Sequence, residues 1–89
     1  MSIYLVKTPH RMENCLQTLD SLAAKGQQTL EKFVFACNDG DHTGYAIVET
    51  DTRNEAFNLV PDFLRSEAKV WQVDRFTPNL INLFHAKAA

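Results

Sequence analysis

The sequence predicts an α+β fold ordered strand, helix, strand, strand, helix, strand, followed by a short C-terminal helix. Three observations carry the prediction: six patterned segments in that order, turn chemistry between the second and third strands, and apolar runs that do not alternate in the first and third strands. Runs of that kind belong to strands buried on both faces.

Each element has a local reason. Residues 2–7 (S-I-Y-L-V-K) are rich in β-branched and aromatic side chains and stop at Thr8-Pro9. Proline fits the first position of a helix, with Thr8 as N-cap. Met12, Cys15, Leu16, Leu19, Leu22 and Ala23 then form one broad apolar stripe, and Gly26 is its C-terminal stop. Residues 30–37 (L-E-K-F-V-F-A-C) make the second strand, with Phe33, Phe35 and Cys37 on one face. The stretch Asn38-Asp39-Gly40-Asp41-His42 supplies the hairpin loop, and residues 43–50 (T-G-Y-A-I-V-E-T) are the third strand.

Thr52 and Glu55 have the spacing of a capping box, which starts the second helix. Its apolar face is Ala56, Leu59, Val60, Phe63 and Leu64, and Pro61 predicts a kink or break near Leu59 and Val60. Residues 68–76 (A-K-V-W-Q-V-D-R-F) are the fourth strand, which puts Arg75 one pleat beyond Trp71. Thr77-Pro78 repeats the N-cap and N1 pairing before a last amphipathic helix carrying Leu80, Ile81, Leu83 and Phe84. A βαββαβ order with a central hairpin is the ferredoxin-like split βαβ arrangement, with an antiparallel four-stranded sheet and both crossover helices on one face. Its central strands are the first and third, where Ile3-Tyr4-Leu5-Val6 and Tyr45-Ala46-Ile47-Val48 run apolar. The helices cover one face of such a sheet. The other face is left for a partner subunit, for the C-terminal helix, or for both.

Composition bounds the function. The chain has 89 residues, 45% of them hydrophobic, with no Pro/Gly/Ser-rich break, so a single domain over residues 1–89 is expected. A domain this small buries only roughly 60 to 65% of its unfolded surface, so association would stabilise it. The net charge of −2 and singly scattered Lys and Arg give no footprint for nucleic acid. No apolar run approaches the ~20 residues of a bilayer span. Cys15 and Cys37 form no CxxC pair and follow no secretory signal, which points to a reducing, cytoplasmic setting.

The stretch Gly44-Tyr45-Ala46-Ile47-Val48-Glu49-Thr50-Asp51, leading into a helix and then the strand carrying Val70 to Val73, resembles a bacterial family of small domains of unknown function within the dimeric α+β barrel superfamily. The resemblance covers nearly the whole chain and implies two sheets packed face to face in a homodimer. The superfamily includes cofactor-independent monooxygenases, lactone isomerases and haem-degrading enzymes that use the cleft between sheet and helices. That breadth transfers no reaction.

Few residues carry possible chemistry. His10, in the first turn of the first helix, is a candidate general base near neutral pH, or a plain exposed histidine beside a cap. Glu49 ends a central strand and is a second acid/base candidate, or a surface carboxylate. Tyr4, Trp71 and Arg75 are candidate ligand contacts, the aromatics as walls and Arg75 as a carboxylate clamp; core or interface packing is the plainer role for the aromatics, and an edge charge for Arg75. His42 beside Asp39 and Asp41 could hold a divalent ion, but turn formation explains those residues. With no HxxxH pair and no zinc-type His/Cys spacing, neither a metal nor another cofactor is expected. The expected function is a homodimer binding a small, mainly apolar molecule in a sheet–helix cleft. One alternative is a cofactor-independent enzyme on a small aromatic or lactone substrate. Another is a regulatory module resembling the ACT domains, although Thr8-Pro9-His10 stands where a glycine-rich turn would favour it.

Overall fold

The structure is a computed structural model that describes residues 1–88. Four strands, β1 (Ser2–Pro9), β2 (Phe33–Ala36), β3 (Asp41–Thr50) and β4 (Lys69–Val73), form one sheet in the order β2-β3-β1-β4. Every neighbouring pair is antiparallel. The first and third strands are therefore central, as their two-sided apolar pattern requires. Four helices accompany the sheet: α1 (Cys15–Ala24), α2 (Gln27–Glu31), α3 (Arg53–Phe57) and α4 (Pro78–Ala88). No helix among the described residues is long and apolar enough to cross a membrane.

Cross-strand pairing sets the strand phase that sequence alone leaves open. Tyr4, Val6 and Thr8 of β1 are buried on the helix side, together with Ala46 and Val48 of β3 and Phe33 of β2. Leu22 of α1, Ala56 of α3, and Val60 and Leu64 of the segment after α3 close over them. The opposite side of the sheet carries Ile3, Leu5, Val34, Ile47, Trp71 and Val73, because residues paired across antiparallel strands point the same way. Nothing among the described residues covers Ile47, Val34 or Trp71, which are 55%, 67% and 43% exposed.

Several boundaries differ from expectation for identifiable reasons. Strand β1 runs on through Thr8 and Pro9, so Thr8 is a buried strand residue and caps nothing. β4 pairs with β1 only between Ile3 and Lys7, so at Pro9 one edge is free and the missing N–H costs no ladder bond. The chain reaches α1 through a 3-10 turn at Met12–Asn14. The buried arc of α1 is Thr18 and Leu22, and Leu16, about 140° from the centre of that arc on the helix wheel, is 74% exposed. Burial of Thr18 is tolerated because its hydroxyl donates to the Asn14 carbonyl at 2.8 Å.

Leu30 belongs to α2, so β2 starts later than expected, and Cys37 opens a 3-10 turn that ends at Gly40 with φ of 86°. The capping box forms: Glu55 N–H donates to Thr52 Oγ1 at 3.2 Å, while the Glu55 carboxylate accepts from Asp51 N–H, one residue earlier than the usual partner. As Pro61 demands, α3 stops at Phe57 and the chain re-forms only a 3-10 turn at Asp62–Leu64. β4 ends at Val73, which puts Arg75 outside the sheet.

Candidate functional site

One end of the sheet gathers the chain's chemistry. Because β1 and β3 are antiparallel neighbours, the residue after β1 lies beside the start of β3, and His10 N–H donates to the His42 carbonyl at 2.9 Å. The β2–β3 turn holds Cys37 at the same end, next to the Ala36–Asp41 pair. The 3-10 turn after β1 folds the first residue of α1, Cys15, back over both. Four elements thus deliver His10, Cys15, Cys37 and His42 to one place.

The ligand atoms of these four side chains all lie within 4.8 Å of one another. Cys15 Sγ is 3.3 Å from His10 Nε2 and 3.3 Å from His42 Nδ1. A tetrahedral ion with Zn–S near 2.3 Å and Zn–N near 2.0–2.1 Å has ligand–ligand edges of roughly 3.3 to 3.8 Å. Both Cys15–imidazole spacings fall at the short end of that range, and the others are bounded by 4.8 Å, about 1 Å beyond its upper end. All four residues are half-buried, which suits thiol and imidazole ligands that must exchange water for metal.

The surroundings hold the histidines in place. The Phe35 ring meets His10 edge-on at 6.0 Å between centroids, and His42 meets His10 similarly. Phe35 lies so close over β3 that a Cβ at Gly44 would come within 2.7 Å of its ring. Glycine is needed at position 44 for that approach and not for turn geometry. Beside His42, Asp41 accepts from the Thr43 hydroxyl at 2.7 Å and the Tyr45 hydroxyl at 2.9 Å. These bonds hold the Asp41 carboxyl below its ordinary pKa and push the Tyr45 hydroxyl up. Thr8 Oγ1 and His10 Nδ1, two residues apart, are buried with no hydrogen-bond partner among the described residues.

Partial burial pushes the Cys15 thiol pKa up, and Cys37 and Glu13 add to the rise. An activated nucleophilic cysteine has a depressed pKa, so this thiol is not tuned for attack despite its two imidazole neighbours. A bound cation would reverse that balance by stabilising the thiolate. The adjoining cavity, lined by His10, Cys15, Leu19, Phe35, Cys37 and Asn38, has a volume of about 220 Å³. It falls below the roughly 300–1,000 Å³ of ordinary small-molecule pockets.

Of the residues singled out in the sequence, His10 sits here, and so does His42, which was weighed there only with Asp39 and Asp41. Tyr4 is in the core on the helix side, whereas Trp71 is on the open side of the sheet, paired with Leu5. They cannot wall one cleft. Glu49 lies opposite Ile3 on the open side, and Arg75 is exposed in the segment after β4. Cys15, Cys37 and His42 were not expected to act together, and the expectation of no metal ligand set overlooked them. A signal was present: four residues separate His10 from Cys15, and four separate Cys37 from His42. Each is a ligand pair at local zinc-type spacing, hidden because each mixes Cys with His. No protein-family model, curated protein or solved structure matches this chain.

Proposed function

We propose that the chain is a metal-binding α+β domain in which His10, Cys15, Cys37 and His42 hold one zinc ion. The observation that carries this reading is the convergence of two thiols and two imidazoles, from four elements, within 4.8 Å. Two soft thiolates with two imidazoles favour Zn²⁺ over Mg²⁺ or Ca²⁺, which take oxygen ligands. Four protein ligands close a tetrahedral sphere, so the ion's role is structural: it ties the ends of β1 and β2 to the starts of α1 and β3. The small adjoining cavity supports this over a small-ligand cleft.

Cobalt substitution tests it. The Co²⁺ protein is expected to show intense tetrahedral d–d bands and thiolate-to-metal charge transfer. The charge transfer should fall by about half in Cys15→Ser or Cys37→Ser and vanish in the double variant. A pale octahedral spectrum indifferent to both cysteines would refute the reading.

The ferredoxin-like assignment draws support from the β2-β3-β1-β4 order with α1 and α3 on one side of the sheet. The uncovered apolar face bearing Val34, Ile47 and Trp71 favours a homodimer in which the sheets face each other, as in the dimeric α+β barrels. Light scattering on the purified chain tests that part, and a monomer would remove it.

A further inference from the structure

We infer that α4 is an exchange arm, each copy in a homodimer laying the apolar side of its α4 on the open sheet face of the other. The inference rests on the homodimer reading above and changes what covers the open sheet face, the partner's α4 in place of the partner's sheet. From Asp74 to Ala88 every residue is exposed. Yet α4 is patterned for burial: Leu80, Ile81, Leu83 and Phe84 fall within an arc of about 160°, with Asn79 and Asn82 on the other side. Its start is capped, Leu80 N–H donating to Thr77 Oγ1 at 3.2 Å, and Phe84 packs edge-on against Phe76 at 6.0 Å. An isolated helix of 11 residues is marginal in water without a surface to bury its apolar side. The sequence therefore provides a helix that requires a docking surface, and the chain's own helix-side core does not supply it.

Two whole-molecule quantities say how large the missing contact is. The radius of gyration is 16.0 Å, against about 12 Å for a compact 89-residue domain, and the longest dimension is 53 Å. Strand β3, at ten residues, accounts for only about 33 Å of that length. The remainder is close to the ~16 Å length of α4. The accessible surface is 6345 Å², whereas a compact monomer of 10.1 kDa exposes about 5,300 Å². The excess of roughly 1,000 Å² per chain is close to the ~800 Å² that each partner contributes to a standard stable interface.

A second copy is the occupant that uses this surface. One chain carries both unpartnered apolar surfaces, the side of α4 and the sheet face with Val34, Ile47 and Trp71. A two-fold pair satisfies both surfaces on both copies and closes on itself, leaving neither apolar surface free for further growth. The segment 74–77, only four residues after the edge strand β4, carries α4 away from its own sheet, which favours exchange over closure within one chain.

The test uses the full chain and a Leu80→Asp/Leu83→Asp variant, whose altered side chains lie outside the core and leave the fold intact by circular dichroism. Light scattering is expected to give twice the mass of 10.1 kDa for the full chain and a single mass for the variant. Emission from Trp71, the only tryptophan, should shift to the red in the variant as the sheet face returns to water. An Ile47→Lys change on the sheet face is expected to give the same dissociation. A variant that stays dimeric, with unshifted Trp71 emission, would overturn the exchange while leaving the sheet-to-sheet dimer standing. A full chain that is monomeric at high micromolar concentration would overturn both.

Discussion

Cys15 is held between two opposing demands: partial burial and the neighbouring thiol favour its protonated form, while a metal ion would require the thiolate. Without metal, the folded pKa lies above the unfolded one. The corresponding stability is present below the thiol's ordinary pKa and is lost as pH rises through the raised folded value. With zinc the dependence inverts, since uptake must release the Cys15 proton. Affinity is expected to rise with pH across the neutral range, with proton release visible in weakly buffered calorimetry; pH-independent affinity would mean that Cys15 is not a ligand. Gly44 offers a second check. Gly44→Ala drives a Cβ to 2.7 Å from Phe35, and the displaced ring no longer braces His10. Zinc affinity should fall on the order of tenfold, the low end for disturbed outer-shell partners. At this scale His10 was legible as a candidate, because a histidine just after a strand is visible as such. Cys15 was legible only as part of an apolar stripe and Cys37 only as a strand end, since pairing residues 15 and 37 depends on the crossover and not on local spacing.

The elements were read best where backbone chemistry decides them. The capping box at Thr52 and Glu55, the break imposed by Pro61 and the Thr77-Pro78 start of α4 all form where the side chains dictate. Thr52→Ala should cost about 1 kcal/mol. In a domain this small that lowers Tm by about 4–8 °C, measurable by thermal unfolding. An unchanged melting curve would mean that α3 does not contribute to the cooperative unit. Where pairing decides, local signals failed: Thr8-Pro9 looks like a helix start but lies in β1 opposite Gly44 and Thr43. The length of β4 was overestimated for a related reason, because β1 offers it partners only from Ile3 to Lys7. The phase of the strands, with Tyr4 inward and Trp71 outward, follows from register, which no single strand encodes.

For the whole molecule, the sheet order and its uncovered second face were legible in the two-sided apolar pattern of β1 and β3. The cluster of His10, Cys15, Cys37 and His42 was not, because it forms only once four segments meet at one end of that sheet. A bound ion would stabilise the fold by mass action. At free zinc a thousandfold above Kd the gain is about 4 kcal/mol. Removing it with a strong chelator is expected to lower Tm by more than about 15 °C, and readdition of zinc to restore it. The most direct measurement is native mass spectrometry of the chain refolded with excess zinc and then desalted. The prediction is one zinc per chain, with a mass increase smaller than the metal's own by the protons displaced, lost in the Cys15→Ser/Cys37→Ser double variant. A chain that carries no zinc, or the same zinc with both thiols removed, would contradict the account.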